Sequence, residues 1–175
     1  MDLKSKIRSI VDFPKKGVVF RDITTLILDG EALRQAVDQM ADNYKDVKID
    51  AIMGAESRGF IFGAALAYKM GVGFIPVRKP GKLPYKTCKV SYDLEYGSSS
   101  LEMHVDAISE GQSILIVDDL VATGGTAKAN ADIIEKMGGK VAGLCFLIEL
   151  AFLNPRDVLK GYDVFSLIVY NSEEE

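Results

Sequence analysis

The amino-acid sequence predicts an α/β fold with a mostly parallel central sheet flanked by helices. Short apolar runs recur along the chain, and several lead through a glycine-containing loop into apolar residues at helical spacing. Continuous apolar runs are typical of strands that are buried on both faces of a parallel sheet. The predicted strands are 49–53, 73–77, 114–117, 141–150 and 164–169. Strands that alternate with helices in this way indicate βαβ units.

Length and composition favour one domain and exclude several classes of function. A chain of 175 residues suits a single core, and its net charge of −4 favours neither nucleic acid nor an anionic membrane as a partner. The two cysteines are far apart and form no disulfide framework, which fits a reducing compartment. The charged first ten residues lack the apolar segment of a signal peptide. We therefore expect a single cytoplasmic domain over residues 1–175.

The remaining predicted elements are helices and a hairpin. Apolar residues at helical spacing predict a short amphipathic helix within 1–11 and a second helix over 31–44. The segments 90–96 and 101–105 are typical of two hairpin strands around a Gly-Ser-rich turn. A short helical turn is expected from Asn154.

The most informative stretch is Ile114–Thr126, in which a predicted buried strand leads through a glycine-rich loop into a helix. Gly124 and Gly125 allow unusual backbone angles and the close approach of a ligand. The start of the following helix offers N–H donors that suit a phosphate, and the hydroxyl groups of Thr123 and Thr126 can add two more. The loop lacks the spacing of a Walker loop or of a dinucleotide fingerprint.

Two acids, Asp118 and Asp119, stand between this strand and the loop. Because carboxylates repel a phosphate, they are better suited to accept hydrogen bonds from sugar hydroxyls or to hold a metal ion indirectly. Taken alone, the same residues are compatible with a tight turn that carries two solvated acids.

A second loop with a charged centre, Gly54–Gly59, follows the strand 49–53. It contains Glu56, Ser57 and Arg58. A cation such as Arg58 is unfavourable at the start of a helix, and a bound anion would remove this conflict. The alternative is an exposed Arg58 that pairs with Glu56.

A third loop, after the strand 73–77, is rich in lysine, proline and glycine, and includes Arg78, Lys79 and Lys82. Such a loop can clamp phosphates, although a solvated basic loop is the default interpretation. Because parallel strands place their carboxyl ends at one edge of the sheet, we expect all three loops to converge on one crevice.

The string DDLVATGGT, from Asp118 to Thr126, closely resembles the phosphoribosyl pyrophosphate (PRPP) signature of type I phosphoribosyltransferases. The resemblance implies that Asp118 and Asp119 orient the ribose and that a loop of five residues holds its 5′-phosphate, namely Ala122, Thr123, Gly124, Gly125 and Thr126. It assigns the pyrophosphate to Glu56, Ser57, Arg58, Arg78, Lys79 and Lys82. It also implies Mg²⁺ bound mainly through PRPP, pyrophosphate and water, with no protein residue assigned as a metal ligand. A homodimer, a hood over 1–30 and a flexible loop over 78–104 are further expectations.

Two more segments resemble the adenine-specific members of that family. PKKGVVFRDIT implies that Val19, Phe20 and Arg21 contact the base, and SYDLEYG implies Glu95 as the catalytic acid, with Tyr96 beside it. By the same resemblance, Leu150 packs on the purine. The expected reaction is adenine with PRPP to give AMP and pyrophosphate, a step of purine salvage. Without the resemblance, the first segment is a surface connection and Glu95 is a surface acid.

Two other functions remain open from the sequence. A related transferase could use hypoxanthine or xanthine, but a 6-oxo group would favour a lysine after the strand that ends at Leu150, and no lysine follows it immediately. A regulatory protein could keep the PRPP pocket without catalysis, but Glu95 and the basic loop favour an enzyme.

Overall fold

A computed structural model describes residues 1–93 and 98–174 of the chain. The strands are β1 (Arg8–Val11), β2 (Val19–Asp22), β3 (Ala51–Ala55), β4 (Gly73–Val77), β5 (Thr87–Asp93), β6 (Ser98–His104), β7 (Ser113–Val121), β8 (Lys140–Leu150) and β9 (Val164–Tyr170). The α-helices are α1 (Thr24–Leu28), α2 (Gly30–Asn43), α3 (Gly59–Met70), α4 (Gly125–Lys136) and α5 (Pro155–Val158). Among these residues no helix is long and apolar enough to cross a membrane.

The central sheet has the strand order β4-β3-β7-β8-β9, and every neighbouring pair in it is parallel. The predicted fold class is thereby confirmed. From β3 the chain moves outward to β4, and it then returns to β7 on the other side of β3 and continues to β8 and β9. The direction of winding therefore reverses between β3 and β7. Ligands of open α/β sheets bind beyond the carboxyl ends of the strands at such a reversal.

Alternate residues of the central strands face two hydrophobic cores. Leu115 and Val117 of β7 pack with α2 and α3, whereas Ile114 and Ile116 pack with α4. All four side chains are buried from solvent. Successive side chains of a strand point to opposite faces of the sheet, and helices cover both faces here. All four residues from Ile114 to Val117 are therefore apolar.

The helix predicted within the first eleven residues is wrong. Apart from a 3₁₀ turn at Lys4–Lys6, this segment forms β1, which pairs antiparallel with β2. Only Leu3 and Ile7 of the predicted apolar stripe are buried. The partners of β1 range from Val19, opposite Val11, to Asp22, which forms an ion pair with Arg8, so local helical spacing could not reveal them.

The predicted hairpin is formed by β5 and β6, which pair antiparallel from Thr87 opposite His104 onward. The hairpin lies against α4, where the ammonium group of Lys136 donates to the carbonyl oxygen of Lys89 at 3.0 Å. The hydroxyl oxygens of Tyr92 and Thr126 are 3.4 Å apart. The hairpin is therefore attached to the helix that begins at the glycine-rich loop.

Candidate active site

A cavity of about 400 Å³ opens at the reversal point between β3 and β7. Its walls come from the loop after β3, the end of β7 and the loop before α4. The lining residues are Glu56, Ser57, Arg58, Asp118, Asp119, 120–127 and Phe146. The cavity thus brings together two of the three predicted loops and both acids.

Gly124 shapes the loop before α4. It adopts a φ of +91°, and an added Cβ atom would lie 3.0 Å from the carbonyl oxygen of Pro155. No described side chain caps the start of α4, so the N–H groups of its first turn face the loop without a side-chain acceptor. These donors, with the hydroxyl groups of Thr123 and Thr126, are suited to a phosphate.

An ion pair between a buried carboxylate and a half-exposed arginine holds the segment beneath this loop. Both carboxylate oxygens of Glu149 accept hydrogen bonds of 2.8 Å from Arg156, at the start of α5. Glu149 is only 2% exposed, and the Arg156 guanidinium lowers its pKa although burial opposes this. Pro155 and Val158 of α5 lie directly under Gly124. The sequence interpretation missed this support because it joins β8 to a helix of one turn.

Asp118 and Asp119 lie within β7. This strand continues to Val121, beyond its predicted end at Val117, so the acids belong to the strand and precede the loop. The Oδ1 atom of Asp118 accepts the N–H of Asp119 at 2.9 Å. Loss of solvation, reinforced by the Asp119 charge, raises the pKa of Asp118 well above its ordinary value. Burial also raises the pKa of Asp119, against the opposing effect of Arg58, whose Nε atom is 2.9 Å from Asp119 Oδ2. The two acids therefore form a poorly solvated pair with one cation beside it.

Gly59 allows the start of α3 to approach this acid pair. A Cβ atom on Gly59 would lie 2.7 Å from Asp118 Oδ1 and 3.2 Å from the carbonyl oxygen of Val117, which is too close for any side chain. Gly54 is equally restricted, because its Cβ atom would lie 2.9 Å from the carbonyl oxygen of Gly59. The two glycines thus keep Arg58 at the edge of the cavity.

Glu56 binds the basic loop that follows β4. Its carboxylate accepts hydrogen bonds from Lys82 at 2.8 Å, from the Lys79 N–H at 2.6 Å and from Arg78 at 3.3 Å. Burial would raise the pKa of Glu56, but these donors together lower it to about 2. The third predicted loop therefore reaches the cavity through Glu56. Arg58 pairs with Asp119, not with Glu56 as the alternative interpretation had it.

The segment predicted to contact a base lies beside the cavity on β2. The guanidinium carbon of Arg58 is 5.4 Å from the centre of the Phe20 ring, so Phe20 is joined to the cavity through that cation. Val19 and Arg21 both contact Glu173, which the sequence interpretation did not single out.

Several predicted site residues do not line the cavity, namely Val19, Phe20, Arg21, Arg78, Lys79, Lys82 and Leu150. Leu150, at the end of β8, packs against the hydrophobic core and does not line this cavity. Glu95 and Tyr96 lie outside the described residues 1–93 and 98–174. Within those residues, no group of three or more His, Cys, Asp or Glu side chains could hold a metal ion. Asp118 and Asp119, two of the three carboxylates that line the cavity, are hard oxygen donors, a set that fits Mg²⁺ held mainly by a phosphorylated ligand and water.

The comparisons with known proteins agree with this geometry. The sequence profile of the phosphoribosyl transferase domain matches residues 24–171, so the chain is a member of that class. The adenine phosphoribosyltransferase of Clostridium perfringens is 63% identical over 171 residues, which cover 98% of this chain and 99% of that protein. With full-length relatives of this kind, the chain belongs to the adenine phosphoribosyltransferase family.

Solved structures of the same family have the same fold. The crystal structure of adenine phosphoribosyltransferase from Thermoanaerobacter pseudethanolicus is 52% identical, with a TM-score of 0.94 and coverage of 97% of this chain and 98% of that chain. The enzyme from Saccharomyces cerevisiae, solved with an imino-altritol bisphosphate and adenine, is 39% identical, with a TM-score of 0.89 and coverage of 95% and 96%.

Proposed function

We propose that the chain transfers the phosphoribosyl group of PRPP to adenine at this cavity, forming AMP and pyrophosphate. The observation that carries the proposal is the poorly solvated acid pair, Asp118 and Asp119, set between a loop suited to a phosphate and a loop with a cation. The Saccharomyces cerevisiae relative, which binds adenine together with a bisphosphate, supports this choice of substrates.

In this proposal the 5′-phosphate binds the loop Ala122–Thr126, where the N–H groups at the start of α4 and two threonine hydroxyls donate to it. The ribose hydroxyls donate to Asp118 and Asp119. As the bond from C1′ to pyrophosphate lengthens, positive charge develops on the sugar, and the nearby carboxylates stabilise it electrostatically.

The leaving pyrophosphate is assigned to Ser57 and Arg58, with Arg78, Lys79 and Lys82 approaching from the basic loop. Glu56 belongs to the same pyrophosphate loop, and its carboxylate holds Arg78, Lys79 and Lys82 beside the cavity. Mg²⁺ carried by the substrate would neutralise part of the pyrophosphate charge.

Adenine is assigned to the side of the cavity at which Phe20 lies, with Val19, Arg21 and Leu150 as further contacts. The C1′–O bond to pyrophosphate breaks, the bond from C1′ to N9 of adenine forms, and Glu95 accepts the proton that N9 loses. Tyr96 lies next to that acid in the sequence. Closure of the segment 78–104 would exclude water from the developing sugar cation.

The test is pyrophosphate release from PRPP with Mg²⁺, measured in parallel with adenine, hypoxanthine, guanine, xanthine and no base. Release with adenine alone is the expected result. Release with an oxopurine would refute the base-site assignment and keep the phosphate loops. Binding of PRPP without release for any base would favour the regulatory alternative.

We further propose that the chain acts as one domain over 1–175, as a homodimer and in the cytoplasm. Both cysteines, Cys88 and Cys145, are free thiols, which suits a reducing compartment. Large apolar side chains that are exposed in the described chain, including Leu28 at 87% and Tyr68 at 91% exposure, support an interface between subunits. Light scattering coupled to size exclusion tests the dimer, and a monomeric mass at micromolar concentration would refute it.

A further inference from the structure

The segment that follows β9 returns to the strand proposed to contact the base. We call residues 170–174, which are the last residue of β9 and the four after it, the clasp segment. Within it, the Oε1 atom of Glu173 accepts the N–H of Val19 at 2.6 Å, and the carbonyl oxygen of Glu173 accepts a hydrogen bond from Arg21 Nη2 at 2.8 Å. One residue therefore binds β2 at two points, through its side chain and through its backbone.

Arg21 extends this contact to both neighbouring elements. It is only 2% exposed, its guanidinium carbon lies 4.0 Å from the centre of the Tyr170 ring, and its Nη1 atom donates to Ser9 Oγ at 2.6 Å. A buried arginine requires such partners, because an uncompensated charge away from water is costly. Arg21 consequently joins β1, β2 and the clasp segment.

The two-stranded sheet of β1 and β2 depends on contacts of this kind. It shares no ladder with the central sheet in the described residues, and an isolated pair of strands is marginally stable in water. The ammonium group of Lys4 adds one further contact to the end of β9, at 3.1 Å from the carbonyl oxygen of Val169. The position of β2 relative to the cavity thus depends on the end of β9 and the residues after it.

We propose that Glu173 is a positioning residue for the base site: its carboxylate, bound to the Val19 N–H, holds β2 at the edge of the cavity where adenine binds. This proposal rests on the proposed function. Glu173 does not itself contact the substrates; it acts through Val19. Loss of its side chain should therefore weaken the binding of adenine and leave the binding of PRPP unchanged, since no described hydrogen bond or ion pair joins Val19 or Glu173 to the loops 56–58, 78–82 and 122–126.

The test compares three variants by steady-state kinetics. Glu173→Ala removes the acceptor and should raise KM for adenine about tenfold, the usual effect of losing one charge-assisted hydrogen bond. KM for PRPP and kcat should change less than about twofold. Glu173→Gln keeps an acceptor oxygen and should restore most of the adenine affinity. Glu174→Ala removes the same charge from an exposed neighbour and should match the wild type.

Three outcomes would overturn the proposal. An unchanged KM for adenine in Glu173→Ala would show that the contact does not position the base site. A lower KM would show that the Glu173 side chain competes with adenine. Parallel rises in KM for adenine and in KM for PRPP, together with a lower melting temperature, would show a general structural role.

Hydrogen exchange separates this proposal from the proposed function. Peptides that contain β2 should exchange faster in Glu173→Ala than in the wild type, whatever the enzyme's base. Unaltered exchange would refute the positioning role of Glu173 even if adenine is the substrate. Faster exchange in a protein that releases no pyrophosphate with adenine refutes the proposed function and keeps the contact.

Discussion

Replacing Asp118 by asparagine should stabilise the fold while it slows the reaction. Asp118 Oδ1 accepts the N–H of Asp119, and an asparagine can keep this acceptor in place. The substitution removes a poorly solvated charge beside a second acid, the two causes that raise the pKa of Asp118. Relief of such strain at a functional site is worth about 1 kcal/mol, or about 3 °C in melting temperature for a chain of this size.

The stabilisation should depend on pH in a defined direction. In the unfolded chain Asp118 loses its proton near the ordinary pKa of about 3.9, whereas the folded protein retains that proton to higher pH. The folded wild type therefore loses stability as pH rises from the unfolded value towards the raised one, and asparagine avoids this loss. The gain in melting temperature should be larger at about pH 8 than at about pH 4.5.

The assay is thermal unfolding at both pH values, together with kcat from pyrophosphate release. We expect kcat to fall on the order of 10²-fold, because a preorganised charge opposite the sugar is lost. Asp46→Asn, at an exposed position, is the matched control and should change neither quantity. A melting temperature that falls at pH 8, or a variant that turns over at the wild-type rate, would refute the reasoning.

Three other substitutions test the surroundings of the cavity. Gly59→Ala would push a Cβ atom to 2.7 Å from Asp118 Oδ1, so kcat/KM for PRPP should fall at least about tenfold and stability by about 1–3 kcal/mol, and unaltered kinetics would contradict the close approach. Glu56→Gln should raise KM for PRPP several-fold with little change in kcat. Since the pKa of Glu56 is about 2, titration of this group should not change the KM of the wild type between about pH 5 and pH 8. Arg156→Leu leaves the Glu149 carboxylate buried without its partner, and calorimetry should show a loss of about 1–2 kcal/mol, discounted because Arg156 is itself half exposed.

The sequence predicted those parts of the site whose conformation depends on residues close together in the chain. Gly124 follows a strand and precedes a helix, and each of these features is visible within a dozen residues. The convergence of the loops after β3, β4 and β7 followed from the parallel sheet, because such sheets place their carboxyl ends together.

The parts that the sequence did not predict depend on partners far along the chain. In the sequence, the acid nearest to Arg58 is Glu56. Arg58 pairs instead with Asp119, because β3 packs beside β7. The contact of the Glu56 carboxylate with Lys82 joins two loops across 26 positions of the chain, and no sequence pattern indicated it. The first strand was mistaken for a helix because its pairing with β2, and not its own spacing, determines its conformation.

The position of Gly124 above α5 has a consequence for folding. The phosphate loop is enclosed by Pro155 and Val158, and β7 must also find β3 on one side and β8 on the other before the cavity has both walls. Contacts between distant segments form late, because the chain must close long loops to make them. During synthesis, a nascent chain that has completed α4 already contains the whole signature sequence but has no cavity. Affinity for PRPP should therefore arise only when β8 and α5, which follow α4, have joined the fold.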